Sequence, residues 1–254
     1  MKRFFILLFS SLCFSLCLLS NQAYAQTLKI GFLTNNPPYS YTQVNKGFEF
    51  ELAQQLGQNI KMVPKSSTTA LFKALKKHQV DLVFSDSSQV PKEFNQTISF
   101  LHPANVLFRR HDSKNKTVLK LNQKSIGFLK NNPHQDLITN LGAKPKTYKT
   151  TAALLQALNA GKIKAALLTD YQYSQLLAKN PQLVAAKDPT NKEQVAQLLV
   201  KITDPQVTSQ NLVLASYHNK RIITKTNHKL KQLQKKGILT KLSMKYFEQD
   251  WTYQ

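Results

Sequence analysis

Cysteine is confined to one short stretch of this chain of 254 residues, at Cys13 and Cys17. Both lie inside an apolar run from Phe4 to Leu19. From residue 26 onward the sequence has no cysteine, which excludes disulfides, thiol catalysis and thiolate metal sites from that part. Acidic residues are also scarce, with 13 Asp and Glu against 35 Lys and Arg and a formal net charge of +22.

Long hydrophobic runs are also absent, except for the one at the N-terminus. Lys2 and Arg3 precede this run, and the small-x-small sequence AYA follows it at 23–25. A basic start, an apolar core and such an ending are typical of a secretory signal peptide. We therefore predict that residues 1–25 are a signal peptide cleaved before Gln26, and that the rest is periplasmic. No later run is long enough to predict a membrane span.

The basic residues are spread as singles and pairs, such as Lys76-Lys77 and Arg109-Arg110. Basic surfaces bind nucleic acid through counterion release. However, an exported chain with no zinc-finger, helix-turn-helix or RNA-binding motif is a poor candidate for that role. We expect no nucleic acid partner, and we interpret the charge as a solvated surface adapted to an anionic cell envelope.

Signatures of metal, cofactor and catalytic chemistry are missing as well. The six histidines show no i, i+4 pair and no clustering with acids; they stand at 78, 102, 111, 134, 218 and 228. The sequence has no G-x-S-x-G, no P-loop and no dinucleotide fingerprint. We therefore predict no metal site, no cofactor and no catalytic residues.

What the sequence does contain is a loose internal repeat. Residues 70–84 read ALFKALKKHQVDLVF, and residues 153–167 read ALLQALNAGKIKAAL. Each copy has the 3, 4 apolar spacing of a helix, then a break, then an apolar run suited to a buried strand. The repeat predicts two similar α/β lobes with a ligand-binding cleft between them. A chance likeness of two Ala- and Leu-rich helices is the alternative.

Strands alternate with helices along the rest of the chain, which favours α/β lobes with largely parallel sheets. Predicted strands cover 28–33, 60–63, 80–85, 105–109, 124–130, 147–148, 163–168, 183–186, 198–202 and 211–217. Predicted helices cover 47–57, 68–78, a short segment opened by Pro91, 133–141, 151–160, 170–180 and a C-terminal helix broken near Gly237. The last helix has one apolar stripe, formed by Leu230, Leu233, Ile238, Leu242 and Tyr246.

Six stretches carry a family resemblance. They are LKIGFLTNNPPYSY at 28–41, GFEFELAQQLG at 47–57, ALFKALKKHQVDLVFS at 70–85, SFLHPA at 99–104, AALLQALNAGKIKAALLTD at 152–170 and KLKQLQKKGILTKLSMKYF at 229–247. In this order they resemble the extracytoplasmic solute-binding proteins of polar amino acid ABC transporters, solute-binding protein family 3, with a type II periplasmic binding fold. No single stretch is specific, but the ordered set is.

The resemblance implies two lobes joined by a two-strand hinge. Lobe 1 would be discontinuous, with residues 26–108 plus 204–254, and lobe 2 would be residues 109–203, with hinges near 107–112 and 200–206. It also implies closure on a small-molecule ligand, an amino acid or amine, and delivery to an inner-membrane ABC permease. A monomer without enzymatic activity is expected.

The pocket positions depart from the family pattern. The family's T-x-E-R motif carries an arginine that grips the ligand carboxylate, as a bidentate guanidinium does well. Here the segment 85–94 reads SDSSQVPKEF, with Glu93 near the arginine position and Lys92 as the nearest cation. Asn36 and Thr68 fall where ligand-stacking aromatic residues are common, which leaves Tyr39 and Phe84 nearby.

In the second lobe, the sequence departs from the family pattern at one position and agrees with it at another. The sequence Asn131-Asn132-Pro133 replaces the usual Gly-Thr after a strand. Asp170 is kept, and the resemblance implies that it meets a ligand ammonium.

We therefore predict a cleft with three carboxylates, from Asp86, Glu93 and Asp170. Tyr39, Ser85, Ser88, Asn131 and Asn132 complete the predicted ligand-binding residues. Because a buried charge needs a partner, such a cleft favours a cationic amino acid or amine. Structural roles are the alternatives, with Asp86 capping the following turn, Glu93 solvated on a helix and Asp170 capping a helix.

The predicted function is solute capture for an ABC importer. One alternative is a protein of the same fold that has lost the amino acid pocket and serves sensing or envelope interaction. A further alternative is a dehydratase-type enzyme on this fold.

Overall fold

The computed structural model describes residues 27–41, 45–57, 59–130 and 134–253. The predicted signal peptide and the predicted ligand residues Asn131 and Asn132 lie outside the described residues. The described residues form ten β-strands and eight α-helices, arranged as two five-stranded sheets with flanking helices. The predicted α/β class with two lobes is confirmed.

Lobe 1 is built on a sheet of order β2-β1-β3-β10-β4, in which β10 runs antiparallel to both neighbours. Its strands are β1 (Leu28–Leu33), β2 (Ile60–Lys65), β3 (Leu82–Asp86), β4 (Phe94–Gln96) and β10 (Leu212–Tyr217). Its helices are α1 (Phe48–Leu56), α2 (Thr68–Lys76), α7 (Lys220–Lys235) and α8 (Ile238–Phe247).

Lobe 2 is built on a sheet of order β7-β6-β8-β5-β9, in which β5 runs antiparallel to both neighbours. Its strands are β5 (Asn105–Arg110), β6 (Ser125–Leu129), β7 (Lys144–Tyr148), β8 (Ala165–Thr169) and β9 (Leu199–Lys201). Its helices are α3 (His134–Asn140), α4 (Thr151–Asn159), α5 (Asp170–Lys179) and α6 (Lys192–Gln197). Both sheets thus place three parallel strands in the same order beside one antiparallel strand.

The internal repeat occupies equivalent places in the two lobes, as α2–β3 and α4–β8. The two helices begin with the same cap: Ser67 Oγ accepts a hydrogen bond from Ala70 N at 3.2 Å, and Thr150 Oγ1 accepts one from Ala153 N at 3.1 Å. Such caps satisfy amide groups that have no partner inside the helix. The sequence repeat therefore corresponds to a helix–strand unit that occurs once in each lobe.

Each repeat helix packs closely on a glycine of the middle one of the three parallel strands. The sequence IGFL occurs in β1 at 30–33 and in β6 at 126–129. A Cβ atom on Gly31 would lie 2.9 Å from a methyl group of Leu71, and one on Gly127 would lie 2.5 Å from a methyl group of Leu154. A larger residue at either position would therefore force neighbouring core side chains to shift.

The C-terminal helices cover lobe 1 as the apolar stripe predicts. Leu230, Leu233 and Leu242 are buried in one core cluster, and Ile238 and Tyr246 are partly buried against it. The break between α7 and α8 falls at Gly237, which has a φ of 67°. Glycine adopts this left-handed conformation without a steric penalty.

The two crossings between the lobes lie side by side. Leu212 N donates to Leu101 O at 2.9 Å, and Gln210 N donates to Pro103 O at 2.9 Å. Strand β5 pairs with β8 and β9 along its length, so Asn105 already belongs to the second sheet. Residues 105–108, which were predicted to belong to lobe 1, therefore pair within the second sheet. The boundary predicted at 203–204 falls in the connection between β9 and β10. The lobe boundaries and the hinges stay predictions.

Two local predictions are wrong. The segment opened by Pro91 forms no α-helix, because Phe94 pairs in β4 with Tyr217 and packs on Phe72 with ring centroids 4.9 Å apart. Residues predicted to be extended near 183 begin in a 3₁₀ turn at Pro181–Leu183, where Leu183 is buried.

No helix in the described ranges combines the length and apolar character needed to cross a membrane.

Candidate functional site

Two neighbouring cavities lie where parallel strands of both sheets end. Leu33 at the end of β1, Asp86 at the end of β3 and Thr169 at the end of β8 line the smaller cavity. Leu129 at the end of β6 lines the larger one. The carboxyl ends of parallel strands are the usual ligand-binding edge of α/β sheets.

The smaller cavity is called here the acidic chamber, and its volume is about 50 Å³. It is lined by Leu33, Asn36, Tyr39, Glu49, Thr68, Phe84, Ser85, Asp86, Gln89, Thr169, Gln210 and Leu212. Two of these described lining residues carry carboxyl groups, and none is Lys or Arg. Thr169 comes from lobe 2, so the chamber lies between the lobes.

Asp86 has a structural role and also faces the acidic chamber. Its Oδ1 accepts a hydrogen bond from Ser88 N at 2.9 Å, which caps the short 3₁₀ turn at Ser87–Gln89. Its Oδ2 accepts one from Asn211 N at 3.0 Å. The capping alternative is therefore confirmed for Asp86, although a carboxylate has lone pairs for further donors.

Glu49 is the chamber's second carboxyl group, and the sequence analysis missed it. Its side chain is 6 % exposed, and its Oε2 has no hydrogen-bond partner among the described residues. Burial raises the pKa of Glu49 to about 8, because the low-dielectric interior penalises the charged form. Its backbone N donates to Tyr39 O at 2.9 Å, which fixes the start of α1 against the loop after β1.

A signal for Glu49 was present in the helical spacing. Phe48, Leu52 and Ala53 form the buried face of α1, and Glu49 falls on the same face. A carboxyl group on a buried helix face has to be paired or protonated. Glu51, two residues on, is instead partly exposed and accepts hydrogen bonds from Lys245 Nζ and Tyr246 Oη, each at 2.6 Å.

Tyr39 links the acidic chamber to the second crossing between the lobes. Its Oη donates to Gln210 Oε1 at 3.1 Å, and its ring packs against Phe247 with centroids 5.1 Å apart. Burial raises the pKa of Tyr39, with smaller contributions from the charges of Glu49 and Asp86. Tyr39 is therefore a neutral phenol in this site.

The structure brings only some of the predicted ligand residues together. Tyr39, Ser85 and Asp86 line the acidic chamber, and Ser88 stands beside it, with its backbone N bonded to Asp86. Glu93 is outside the described lining of both cavities and pairs with Lys76, with Nζ and Oε1 2.9 Å apart. The hydrogen bond from Lys76 lowers the pKa of Glu93.

Asp170 is also outside the described lining of the two cavities. It is the first residue of α5, and its Oδ2 accepts a hydrogen bond from Gln249 Nε2 at 3.3 Å, which connects lobe 2 to the C-terminal segment. The cap of α5 is Thr169, in a capping box with Gln172. The capping alternative for Asp170 is therefore wrong by one residue.

The larger cavity is called here the basic chamber, and its volume is about 1060 Å³. Residues Asn35, Asn36 and Pro37 of lobe 1 form one wall, and lobe 2 forms the rest. Its described lining residues include the lysines 130, 149 and 179 and no Asp or Glu. Asn36 lines both chambers, so the two cavities are neighbours there.

Metal chemistry finds no support in this geometry. Across the residues that the structure describes, no group of three or more His, Cys, Asp or Glu could hold a metal ion. The acidic chamber offers two carboxyls, a phenol and amides, which suit hydrogen bonding to an ammonium or guanidinium group.

Solved structures with the same fold include several binding proteins. The substrate-binding protein of an amino acid ABC transporter has a TM-score of 0.65 at 17% identity, covering 88% of this chain and 100% of that chain. The arginine-, lysine-, histidine-binding protein ArtJ from Geobacillus stearothermophilus has a TM-score of 0.64 at 19% identity, covering 89% and 96%. The GluR0 ligand-binding core in complex with L-glutamate has a TM-score of 0.67 at 14% identity, covering 87% and 98%.

Sequence comparison assigns the family. No curated protein sequence matches the chain. The family model of the bacterial extracellular solute-binding proteins, family 3, matches residues 28–249. That match spans both lobes and both chambers. The chain therefore belongs to the bacterial extracellular solute-binding proteins, family 3.

Proposed function

We propose that this protein captures a small amine-bearing solute, such as a basic amino acid, between its lobes and delivers it to an ABC permease in the inner membrane. Membership of an extracellular solute-binding family supports capture outside the cytoplasm. Similarity in fold to the substrate-binding protein of an amino acid ABC transporter supports the importer. Similarity in fold to ArtJ, an arginine-, lysine- and histidine-binding protein, supports the amine. We further propose that the protein acts as a monomer and that capture of the solute involves no covalent chemistry.

One observation carries the choice of an amine: among the residues that the structure describes, the acidic chamber has two carboxyl groups in its lining and no Lys or Arg. The whole chain has 13 acidic residues against 35 basic ones, so a cavity lined by acidic residues is not what the composition predicts. A cation placed between Glu49 and Asp86 would supply a partner for the buried Glu49 Oε2, which has none among the described residues.

The proposed contacts follow from the geometry of the acidic chamber. Glu49 Oε2 would accept a hydrogen bond from the ligand cation, and Asp86 would add a second carboxylate already held by two backbone amides. Ser85 lies in the same wall. Because Thr169 belongs to lobe 2, a ligand in this chamber would contact both lobes, which favours closure around it.

The other predicted ligand-binding residues are not among these proposed contacts. Ser88 would act through Asp86, and Asn131 and Asn132 remain predicted contacts from lobe 2. Asp170 would act at the rim through its link to Gln249. Glu93 is left out, because its carboxylate is committed to Lys76.

Calorimetry and thermal unfolding of the chain from residue 26 test the proposal, with arginine, lysine, putrescine and glutamate as probes at pH 8.5. We expect basic probes to raise the melting temperature, since a ligand at 100 times its Kd adds about 2.7 kcal/mol of stability. Glutamate should leave the melting temperature unchanged. If none of the basic probes binds, the amine proposal is wrong.

Glu49→Gln and Glu51→Gln form a matched pair of variants on the same helix turn. Glu49→Gln keeps the shape but removes the charge, so we expect at least a hundredfold loss of affinity for arginine or putrescine. Glu51→Gln removes only the ion pair with Lys245, and its affinity should equal that of the unmodified protein. Equal losses in both variants would contradict a specific role for Glu49.

A further inference from the structure

Each parallel strand of lobe 2 has an exposed lysine at its amino end, on the side of the sheet opposite the two chambers. Lys124 precedes β6, Lys144 is the first residue of β7, and Lys164 precedes β8. Lys144 N donates to Lys124 O, and Lys164 N donates to Ser125 O, each at 2.8 Å. The parallel pairing thus brings the three lysines together, and they are called here the basic edge.

The fold does not require a lysine at this edge. The internal repeat places Lys164 at the position that Asp81 has in lobe 1, since both residues directly precede the repeat strand. Asp81 Oδ2 accepts a hydrogen bond from Lys29 N at 2.7 Å. The same helix–strand unit therefore forms with an acid in one lobe and with a lysine in the other.

Acidic residues that could neutralise the basic edge are scarce around it. Asp136 is the single acid between residues 113 and 169. No ion pair of the described residues involves the lysines of this segment, which are residues 114, 116, 120, 124, 130, 144, 146, 149, 162 and 164. The unbalanced charge favours an anionic partner. A second copy of this chain is disfavoured, because it would present the same charge.

One apolar side chain projects beside the basic edge. Leu119 is 83 % exposed, more than any other large hydrophobic side chain in the described ranges. Its neighbours Val118 and Leu121 are buried in a core cluster of lobe 2, which holds the turn in place and leaves Leu119 outside. Lys120 follows Leu119 directly, and Lys124 N donates to Leu121 O at 2.9 Å, so the turn leads into the basic edge.

Lysines around an exposed leucine suit the surface of an anionic bilayer. The ammonium groups are attracted to lipid phosphates, and the leucine can enter the boundary between head groups and acyl chains. Nucleic acid would satisfy the lysines and leave the leucine in water. Phosphate recognition in nucleic acid also favours the bidentate arginine, whereas the basic residues of 113–169 are all lysine.

We propose that the basic edge and the turn at Leu119–Leu121 bind the surface of a membrane that contains anionic phospholipid, with Leu119 inserted between the head groups. Binding of this kind is reversible and depends on salt. Because the chambers lie at the opposite ends of the strands, the cleft would stay open to solution while the protein is held at the membrane. This inference goes beyond the proposed function and does not depend on it.

Vesicle co-sedimentation of the chain from residue 26 tests the proposal. Vesicles of phosphatidylcholine with one third phosphatidylglycerol should bind it at least tenfold more tightly than vesicles of phosphatidylcholine alone, and rising salt should weaken the binding. The basic-edge triple variant, Lys124→Gln, Lys144→Gln and Lys164→Gln, should lose at least tenfold of that affinity. A control triple in α7, Lys225→Gln, Lys231→Gln and Lys235→Gln, removes the same charge from exposed positions of lobe 1 and should lose less than threefold. Thermal unfolding of both triples should match the unmodified protein.

A fluorescent probe at residue 119 tests the contact directly. The chain has no cysteine from residue 26 onward, so Leu119→Cys allows one environment-sensitive dye to be attached. Its emission should shift to the blue with the anionic vesicles, and the same dye on Lys225→Cys should not shift. Absence of binding to anionic vesicles, equal losses in the two triples, or an unshifted dye at residue 119 on bound protein overturns the proposal. Binding to duplex DNA in place of vesicles, lost in the basic-edge triple, would overturn it in favour of nucleic acid. None of these outcomes bears on ligand capture in the chambers.

Discussion

The two lobes are alike in their cores and opposite at the cleft. Both have the same strand order, a glycine in the middle one of the three parallel strands and a capped repeat helix. At the cleft, lobe 1 presents the buried carboxyl group of Glu49 and the partly buried one of Asp86, and lobe 2 presents lysines on exposed positions. Burial patterns thus determine the fold of each lobe, while a few residues at strand and helix ends determine its chemistry.

The acidic and basic chambers also differ in how firmly their charged groups are held. Asp86 is fixed by backbone amides and Glu49 is buried, so the acidic chamber is organised before a ligand arrives. Lysine side chains are long and flexible, so the basic chamber attracts charge over a distance but positions it loosely. On the proposed function, lobe 1 would determine which head group binds.

The largest effects should come from the shared cores, at equivalent leucines of the repeat. Leu71 and Leu154 are both fully buried. Each substitution by Ala should cost about 2–5 kcal/mol of unfolding free energy. Trp251 is the single tryptophan and packs on the lobe 1 core, so its fluorescence reports lobe 1, whereas far-UV circular dichroism reports both lobes.

Because the lobes have separate core clusters, Leu71→Ala should shift the Trp251 transition in urea more than Leu154→Ala does. Both variants should shift the circular dichroism transition. Identical shifts of the two signals in both variants would show that the lobes unfold as one unit, and would remove the basis for treating their cores separately.

A second prediction concerns the pH dependence of stability at Glu49. Its pKa is 4.5 as an isolated group and about 8 in the folded protein, so the folded state holds the proton more tightly. Between these values the unfolded state ionises while the folded state does not, and stability falls as pH rises. Glu49→Gln should therefore be neutral below pH 4.5 and stabilising by roughly 4 kcal/mol near pH 8, from the linkage between pKa and stability.

Urea unfolding of both proteins from pH 4 to pH 9 measures this difference. Tyr39 and Asp86 also face the acidic chamber and are unchanged in the variant, so they serve as the common background. Affinity for agmatine should rise with pH toward about 8 in the unmodified protein, because the cation binds ionised Glu49. A stability difference that does not vary with pH would show that Glu49 is ionised throughout.

Much of the fold could be predicted from sequence because both lobes depend on periodic apolar patterns. The repeat gave the two lobes, and the C-terminal stripe gave the two last helices with their break at Gly237. The short β4 strand could not be predicted, since Phe94 is held in it by Tyr217 and Phe72, which are distant in sequence. Lobe boundaries depend on the same kind of long-range pairing.

The site was only partly predictable for a related reason. Tyr39, Ser85 and Asp86 follow predicted strands, so their place at the cleft could be inferred. Glu49 is one of two acids at the start of α1, and only tertiary packing shows that it is buried while Glu51 pairs with Lys245. Glu93 was predicted to line the cleft from its place in the family pattern, but it lies just before β4 and pairs with Lys76.

The smallest effects should come from the paired helix caps. Ser67→Ala and Thr150→Ala should each cost about 1 kcal/mol, because each removes the acceptor of one amide in the first helical turn. The residue after each cap lines a chamber: Thr68 lines the acidic chamber and Thr151 the basic chamber. Amide hydrogen exchange should show a loosened first turn of α2 in one variant and of α4 in the other.

These caps also compare the two chambers with the least possible change in charge. On the proposed function the acidic chamber binds the cation, so Ser67→Ala should weaken agmatine binding by a small factor, because Thr68 beside the cap lines that chamber. Thr150→Ala should leave agmatine binding unchanged, because Thr151 lines the basic chamber instead. Calorimetry of agmatine with both variants gives the two values required. Equal weakening by the two variants would show that the acidic chamber is not the cation site.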